Sequence, residues 1–173
     1  MNAMVMGQLR DKGPCEVWYG TLTLEVLLGP YFGSVIMRTS STSSDVMESS
    51  HGTTPVDTVV TGYGPTEVTV PFTRMSLANL AIVIPGATTS GSGLKAIAHL
   101  EVGRSEYDNS KSLILKPIVD GVESADQSEW LQFDHAYPNV DMEEVYDEEG
   151  QRVFNVIFKC FPDASTGVVY HTG

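Results

Sequence analysis

The chain has 173 residues, 42% of them hydrophobic, enough for one domain with a core of its own. Ten basic residues against 22 acidic ones give a net charge of −12, which excludes binding of duplex DNA through phosphate neutralisation. Half of the acids lie between Asp120 and Glu149, a tract without Lys or Arg. The longest apolar run, Leu80–Ile84, is far too short to span a bilayer. Met1–Arg10 lacks the charged start and long apolar block of a signal peptide. A cytoplasmic protein, or one that leaves inside a larger particle, is expected.

Met1–Lys12 has no period and is expected to be an arm; residues 13–173 form the domain. Cys15–Tyr19 and Thr21–Leu28 alternate as strands and are expected to pair across Gly20. Gly29-Pro30 breaks the run, and Ser34–Ser40 predicts another strand. Residues 39–57 are dominated by Ser, Thr, Gly and Asp and predict a long polar loop, ordered against a partner subunit. Thr58–Phe72 predicts two strands joined at Gly64-Pro65, the second with Val68, Val70 and Phe72 facing inward and Glu67 and Thr69 outward. Leu77, Leu80, Ala81 and Ile84 then recur at helical spacing, predicting a helix over about residues 75–84. Thr73 or Ser76 would cap it and Pro85-Gly86 would end it.

Thr88–Gly93 reads as a flexible connector, and Leu94–Val102 fits either a helix or a strand, with strand preferred. Leu113–Val119 predicts a strand that Pro117 places at a sheet edge or a strand end. Trp130–Phe133 and Val140–Tyr146 are expected as strands flanking a turn at Tyr137-Pro138-Asn139. Asp147–Gly150 predicts an acidic hairpin turn, and Gln151–Phe161 a central strand covered on both faces. Ala164–Gly173 could add an edge contact. The sum is a mainly β domain, a sandwich or partly closed barrel with one short helix.

Certain landmarks recur in an order that carries a resemblance. They are Thr54-Pro55-Val56-Asp57, Val59, Thr61-Gly62, Val68 to Phe72, Leu77 to Ala81 and Pro85-Gly86-Ala87. Gly13 to Val17, Leu28-Gly29 and Gly33-Ser34-Val35 precede them; Leu115-Lys116-Pro117, Val153-Phe154 and Phe161-Pro162-Asp163 follow. Together they resemble the major tail tube protein of long-tailed bacteriophages. The resemblance implies a structural virion protein, assembled in the host cytoplasm, whose copies form stacked hexameric rings around a lumen that conducts DNA. A tape measure protein and a tail terminator are the implied partners, with no membrane and no cofactor. Residues Ser43, Asp45, Val46, Met47, Glu48, His51, Thr54, Pro55, Val56 and Asp57 would form the inter-subunit loop. An acidic lumen would repel phosphates, and Glu67, Glu143 and Glu144 are its candidates. Two other readings share the β architecture. One is the inner tube of a contractile or gene-transfer machine; the other is a lectin-like module using Trp18, Trp130 or Tyr137.

Catalysis is not expected. The histidines, His51, His99, His135 and His171, have no metal-ligand spacing, and there is no nucleophile elbow, Walker loop or dinucleotide fingerprint. Asp134-His135 with Asp141, Glu143 and Glu144 offers many equivalent carboxylates rather than the two distinct environments that acid–base work needs. Cys15 and Cys160 are expected to be reduced thiols; they could meet only if their strands were neighbours.

Overall fold

The computed structural model describes residues 13–89, 95–97, 102–139 and 153–173. Thirteen strands are numbered in chain order. They are β1 (Cys15–Thr21), β2 (Leu24–Leu27), β3 (Ile36–Arg38), β4 (Ser41–Met47), β5 (Pro55–Tyr63), β6 (Thr66–Phe72), β7 (Ala87–Thr89), β8 (Lys95–Ile97), β9 (Lys111–Val119), β10 (Val122–Glu123), β11 (Leu131–Asn139), β12 (Phe154–Phe161) and β13 (His171–Thr172). One α-helix, α1 (Leu77–Val83), lies between β6 and β7 among the described residues. The principal sheet runs β2-β1-β9-β11-β12-β6-β3, with β10 added to β9 and β13 to β11; every pairing is antiparallel. β4–β5 and β7–β8 form separate two-stranded sheets. The architecture is the expected mainly β, sandwich-like fold and not a closed barrel.

Alternation places the core. Val17 and Tyr19 of β1, Leu113 of β9, Phe133 and Ala136 of β11, Val156 and Phe158 of β12, and Val68, Val70 and Phe72 of β6 are all buried on one face. β1 and β12 are separated by β9 and β11, so in a flat sheet they would lie about 14 Å apart at the usual strand spacing. The rings of Tyr19 and Phe158 are nevertheless 5.1 Å apart, centroid to centroid. The sheet must therefore curl until its inner face meets itself. The Tyr19 hydroxyl donates to the Ala136 carbonyl (3.1 Å), which satisfies its polar end inside the core.

The curl leaves a seam between the β2 and β6 sides, and the chain after β2 spans it. The Leu28 amide donates to Val17 O, Phe32 N to Pro71 O and Thr73 N to Pro30 O. Tyr31 pairs with Phe72 and its hydroxyl accepts from the Cys15 amide (2.8 Å). Helix α1 then closes one end. Ser76 caps it through the Asn79 amide, and the Asn79 side chain donates to Leu27 O and Leu28 O. Val83 and Ile84 enter the core.

Several expectations shift. The β1–β2 turn is at Leu22-Thr23, not Gly20, and Thr23 takes a positive φ of 76°. Segment 39–57 is largely a strand hairpin, because β5 begins at Pro55 and β4 pairs along it. β9 is central rather than an edge, and Pro117 lies near its end. β11 begins at Leu131, opposite Leu115, so Pro117 owes no amide to β11, and its carbonyl accepts from the Ser124 amide. No turn interrupts β11 at Pro138, which pairs with Phe158. Past the Ala136–Lys111 pair β11 has no further partner on the β9 side, so a residue lacking an N–H fits there. β12 is central, but Asn155 is exposed and Ile157 only half-buried, so its outer face is only partly covered. The residues expected at Val140–Tyr146 and Asp147–Gly150 lie outside the described ones.

β13 resumes the line of β12 along β11 after residues 162–170 loop out. Asp163 organises that loop. Its carboxylate accepts from the Ser165 hydroxyl and amide and from the Thr166 amide and hydroxyl, which holds it well below the usual carboxylate range. Its other oxygen lies 3.6 Å from His135 Nε2, tying the loop to β11.

The seam makes one position critical. Gly29 has φ 129°, and a Cβ there would come 2.7 Å from the Arg74 carbonyl oxygen. Gly29→Ala is expected to lose about 2–4 kcal/mol, from backbone strain and the displaced contact together, in urea unfolding. Gly13→Ala, with nothing within 4 Å of its Cβ position, should leave stability within about 0.5 kcal/mol of wild type.

Candidate assembly surface

β4 and β5 pair from Ser41–Tyr63 to Met47–Pro55, and a short 3-10 turn at Ser49–His51 closes the hairpin. Every residue of β4 is exposed, as are those of β5 apart from Gly62. Valines stand on both faces. Val46 and Val59 share one, with Ser44 and Asp57; Val56 and Val60 lie on the other. Tyr63 is 84% and Met47 53% exposed. A soluble hairpin normally turns one apolar face onto a core, and an isolated one is only marginally stable in water. Among the described residues this arm covers no core of its own.

The arm gathers the residues singled out for a subunit contact. Ser43, Asp45, Val46 and Met47 lie on β4, Glu48, His51 and Thr54 around the tip, and Pro55, Val56 and Asp57 on β5. Asp45 accepts from the Thr58 hydroxyl (3.0 Å), and Asp57 from the Thr58 amide (2.7 Å). His51 Nδ1 lies 3.4 Å from Glu48 and 2.9 Å from the Ser50 hydroxyl. These short-range bonds hold the arm's strands together without supplying any burial.

Among the described residues the main sheet also ends in two edges without a further partner, β2 and β3. Around β2, Leu22 and Leu24 are 63% and 74% exposed, and Val26 and Leu27 are exposed as well; Ile36 is exposed on β3. Sequence reading missed this patch. The signal was present in the apolar run Leu22–Leu28, whose alternation predicts a strand without saying whether that side is covered.

Glu67, Glu143 and Glu144 are not brought together by the described structure. Glu67 lies on the outer face of β6, in register between Arg38 of β3 and Lys159 of β12. Lys159 Nζ itself lies 3.3 Å from Glu106. Glu143 and Glu144 lie outside the described residues.

The aromatic pair proposed for sugar stacking is already engaged. Lys116 Nζ lies 4.0 Å from the Trp18 ring centroid and 4.2 Å from that of Trp130, and 3.2 Å from Glu123. The two indole N–H groups donate to Glu16 and to Ser124 O. Desolvated cation–π contacts of this kind stabilise by about 1–2 kcal/mol each, so the trio fastens β1, β9 and the β10 turn together.

Among the described residues no cluster of His, Cys, Asp and Glu could hold a metal ion. Both cysteines are free. β1 and β12 are not neighbours, so the thiols are not brought together by strand pairing. Burial pushes the Cys15 thiol up, partly offset by its Tyr31 contact. Burial, then the Glu67 charge, pushes the Cys160 thiol up to about 12.

The chain matches no protein-family model, and no curated sequence matches it.

Cys160 yields a pH prediction. Its folded pKa is raised, so its contribution to stability is intact below the unfolded thiol value near 9.0. It is lost as pH rises from there toward about 12, by up to about 1.4 kcal/mol per pH unit. In urea unfolding from pH 8 upward, Cys160→Ala should reduce the slope, leaving the part that the buried Cys15 thiol supplies, while lowering stability at pH 8. Unchanged slopes would contradict the assignment.

Proposed function

We propose that this protein is a structural subunit that assembles with copies of itself into stacked hexameric rings, as the tail tube of a long-tailed bacteriophage. The exposed β4–β5 arm carries the reading. A two-stranded sheet with Val46, Met47, Val56, Val59, Val60 and Tyr63 exposed leaves apolar surface that a subunit contact would bury. The edges β2 and β3, open among the described residues, support the same reading, because unpaired strand edges readily accept another chain. A head-to-tail contact repeated between identical copies closes a ring when its rotation divides a full turn.

The ordered landmarks from Gly13 to Asp163 direct the proposal to the tail tube, with the tape measure protein and tail terminator as partners and DNA as passing cargo. Net charge −12 suits a conduit for DNA, since like charges keep phosphates off the wall. Glu67, half-buried on the outer face of β6, remains a candidate for such a wall. The inner tube of a contractile or gene-transfer machine would use the same surfaces for different cargo. A lectin-like role is disfavoured by the Trp18–Lys116–Trp130 stack.

Negative-stain microscopy and sedimentation of the purified protein test this. Rings or tubes are expected at high concentration. The paired substitution Met47→Lys and Val59→Lys should leave the unfolding midpoint unchanged, since neither side chain is buried, yet yield monomer only. A uniform wild-type monomer at high concentration, or rings from the variant as abundant as from wild type, would refute the arm's role.

A further inference from the structure

With 22 acidic residues against ten basic ones, cations in this chain have carboxylates to spare. Lys116 pairs with Glu123, and Lys159 with Glu106. Among the described residues Arg38, Arg74, Arg104 and Lys111 form no ion pair, and of these Arg104 and Lys111 together line one cavity of about 170 Å³. Its other walls are Tyr19, Asn109, Tyr137, Pro138 and the end of α1 from Ala81 to Gly86. The side chain of Asn109 accepts from Arg104 Nη2 and donates to the Ser105 carbonyl (2.7 Å), which fixes the guanidinium at the rim. Lys111 Nζ lies 5.9 Å from the Tyr19 ring centroid, at the outer limit of a cation–π contact, so that ring does little to satisfy it.

We propose that this cavity is an oxyanion site, sized for a phosphate or carboxylate group, with Arg104 and Lys111 as the charged donors. A guanidinium offers a planar pair of N–H groups to two oxygens, and an ammonium adds a point charge beside them. The site is independent of the assembly reading. Its occupant is either a free small anion or a carboxylate presented by a second copy of this acidic chain.

The test uses the full chain, in dilute solution at constant ionic strength, titrated with inorganic phosphate and followed by amide NMR. Saturable shifts are expected around Arg104–Lys111, Gly86 and Tyr137. Arg104→Gln alone, and Arg104→Gln with Lys111→Gln, should weaken binding about tenfold or more at each step, as loss of a charged hydrogen bond does. Sedimentation at high concentration separates the sources. If phosphate and the double variant both reduce association, the occupant is a neighbour's carboxylate; if association is unchanged while phosphate still binds, it is a free anion. Two cations that merely neutralise the carbonyl end of α1 would instead give variants of lower stability and no saturable shifts. That result, or equal binding by wild type and double variant, overturns the proposal.

Discussion

The contact between Tyr19 and Phe158 is the constraint on which the rest of this structure depends. Strands separated by two others can bring their rings to 5.1 Å only if the sheet rolls up, and rolling is how a single sheet buries its own inner face. Once rolled, the sheet has a seam, and residues 28–33 must cross it as hydrogen-bonded backbone because buried amides need partners. Gly29 follows from that, since the crossing passes too close to Arg74 for a side chain. α1 follows as well: its Asn79 satisfies the carbonyls left where β2 stops.

The same closure decides what is left outside. The inward apolar residues of β1, β6, β9, β11 and β12 pack into the core, so among the described residues β4 and β5 have no apolar face to pack on. Their valines are on both faces of a ribbon held by its own hydrogen bonds. The β2 edge keeps exposed leucines for the same reason, being the last strand of a sheet that does not close. Arm and edge are thus products of one economy of burial, and self-assembly is the use proposed for them.

Much of the fold was legible in the sequence where period was unambiguous. β6, with Val68, Val70 and Phe72 inward, and α1, with its Ser76 cap, follow directly from spacing. The misplaced elements share a physical cause: proline and polarity report on local backbone, whereas strand neighbours are decided at long range. Pro117 reads as a sheet edge or a strand end and Pro138 as a turn, yet both lie in central strands, Pro117 near the end of β9 and each past its last pairing with β11 or β9. The Ser- and Thr-rich run at 39–57 read as a loop because nothing local announces that β5 will pair with it. The candidate contact residues were legible as a group, since they fall in one hairpin. The register of Glu67 with Arg38 and Lys159 was not, because both are distant in sequence and adjacent only through β3 and β12.

Hydrogen exchange, read residue by residue, tests most directly the claim that core and arm have separate loyalties. In dilute protein, amides of β9, β11 and β12 should exchange only through global unfolding, while those of β4 and β5 exchange orders of magnitude faster through local opening. At concentrations where assemblies form, β4 and β5 should become protected and the core strands should change little. Protection of β4 and β5 equal to the core in dilute monomer, or none gained on assembly, would contradict the account.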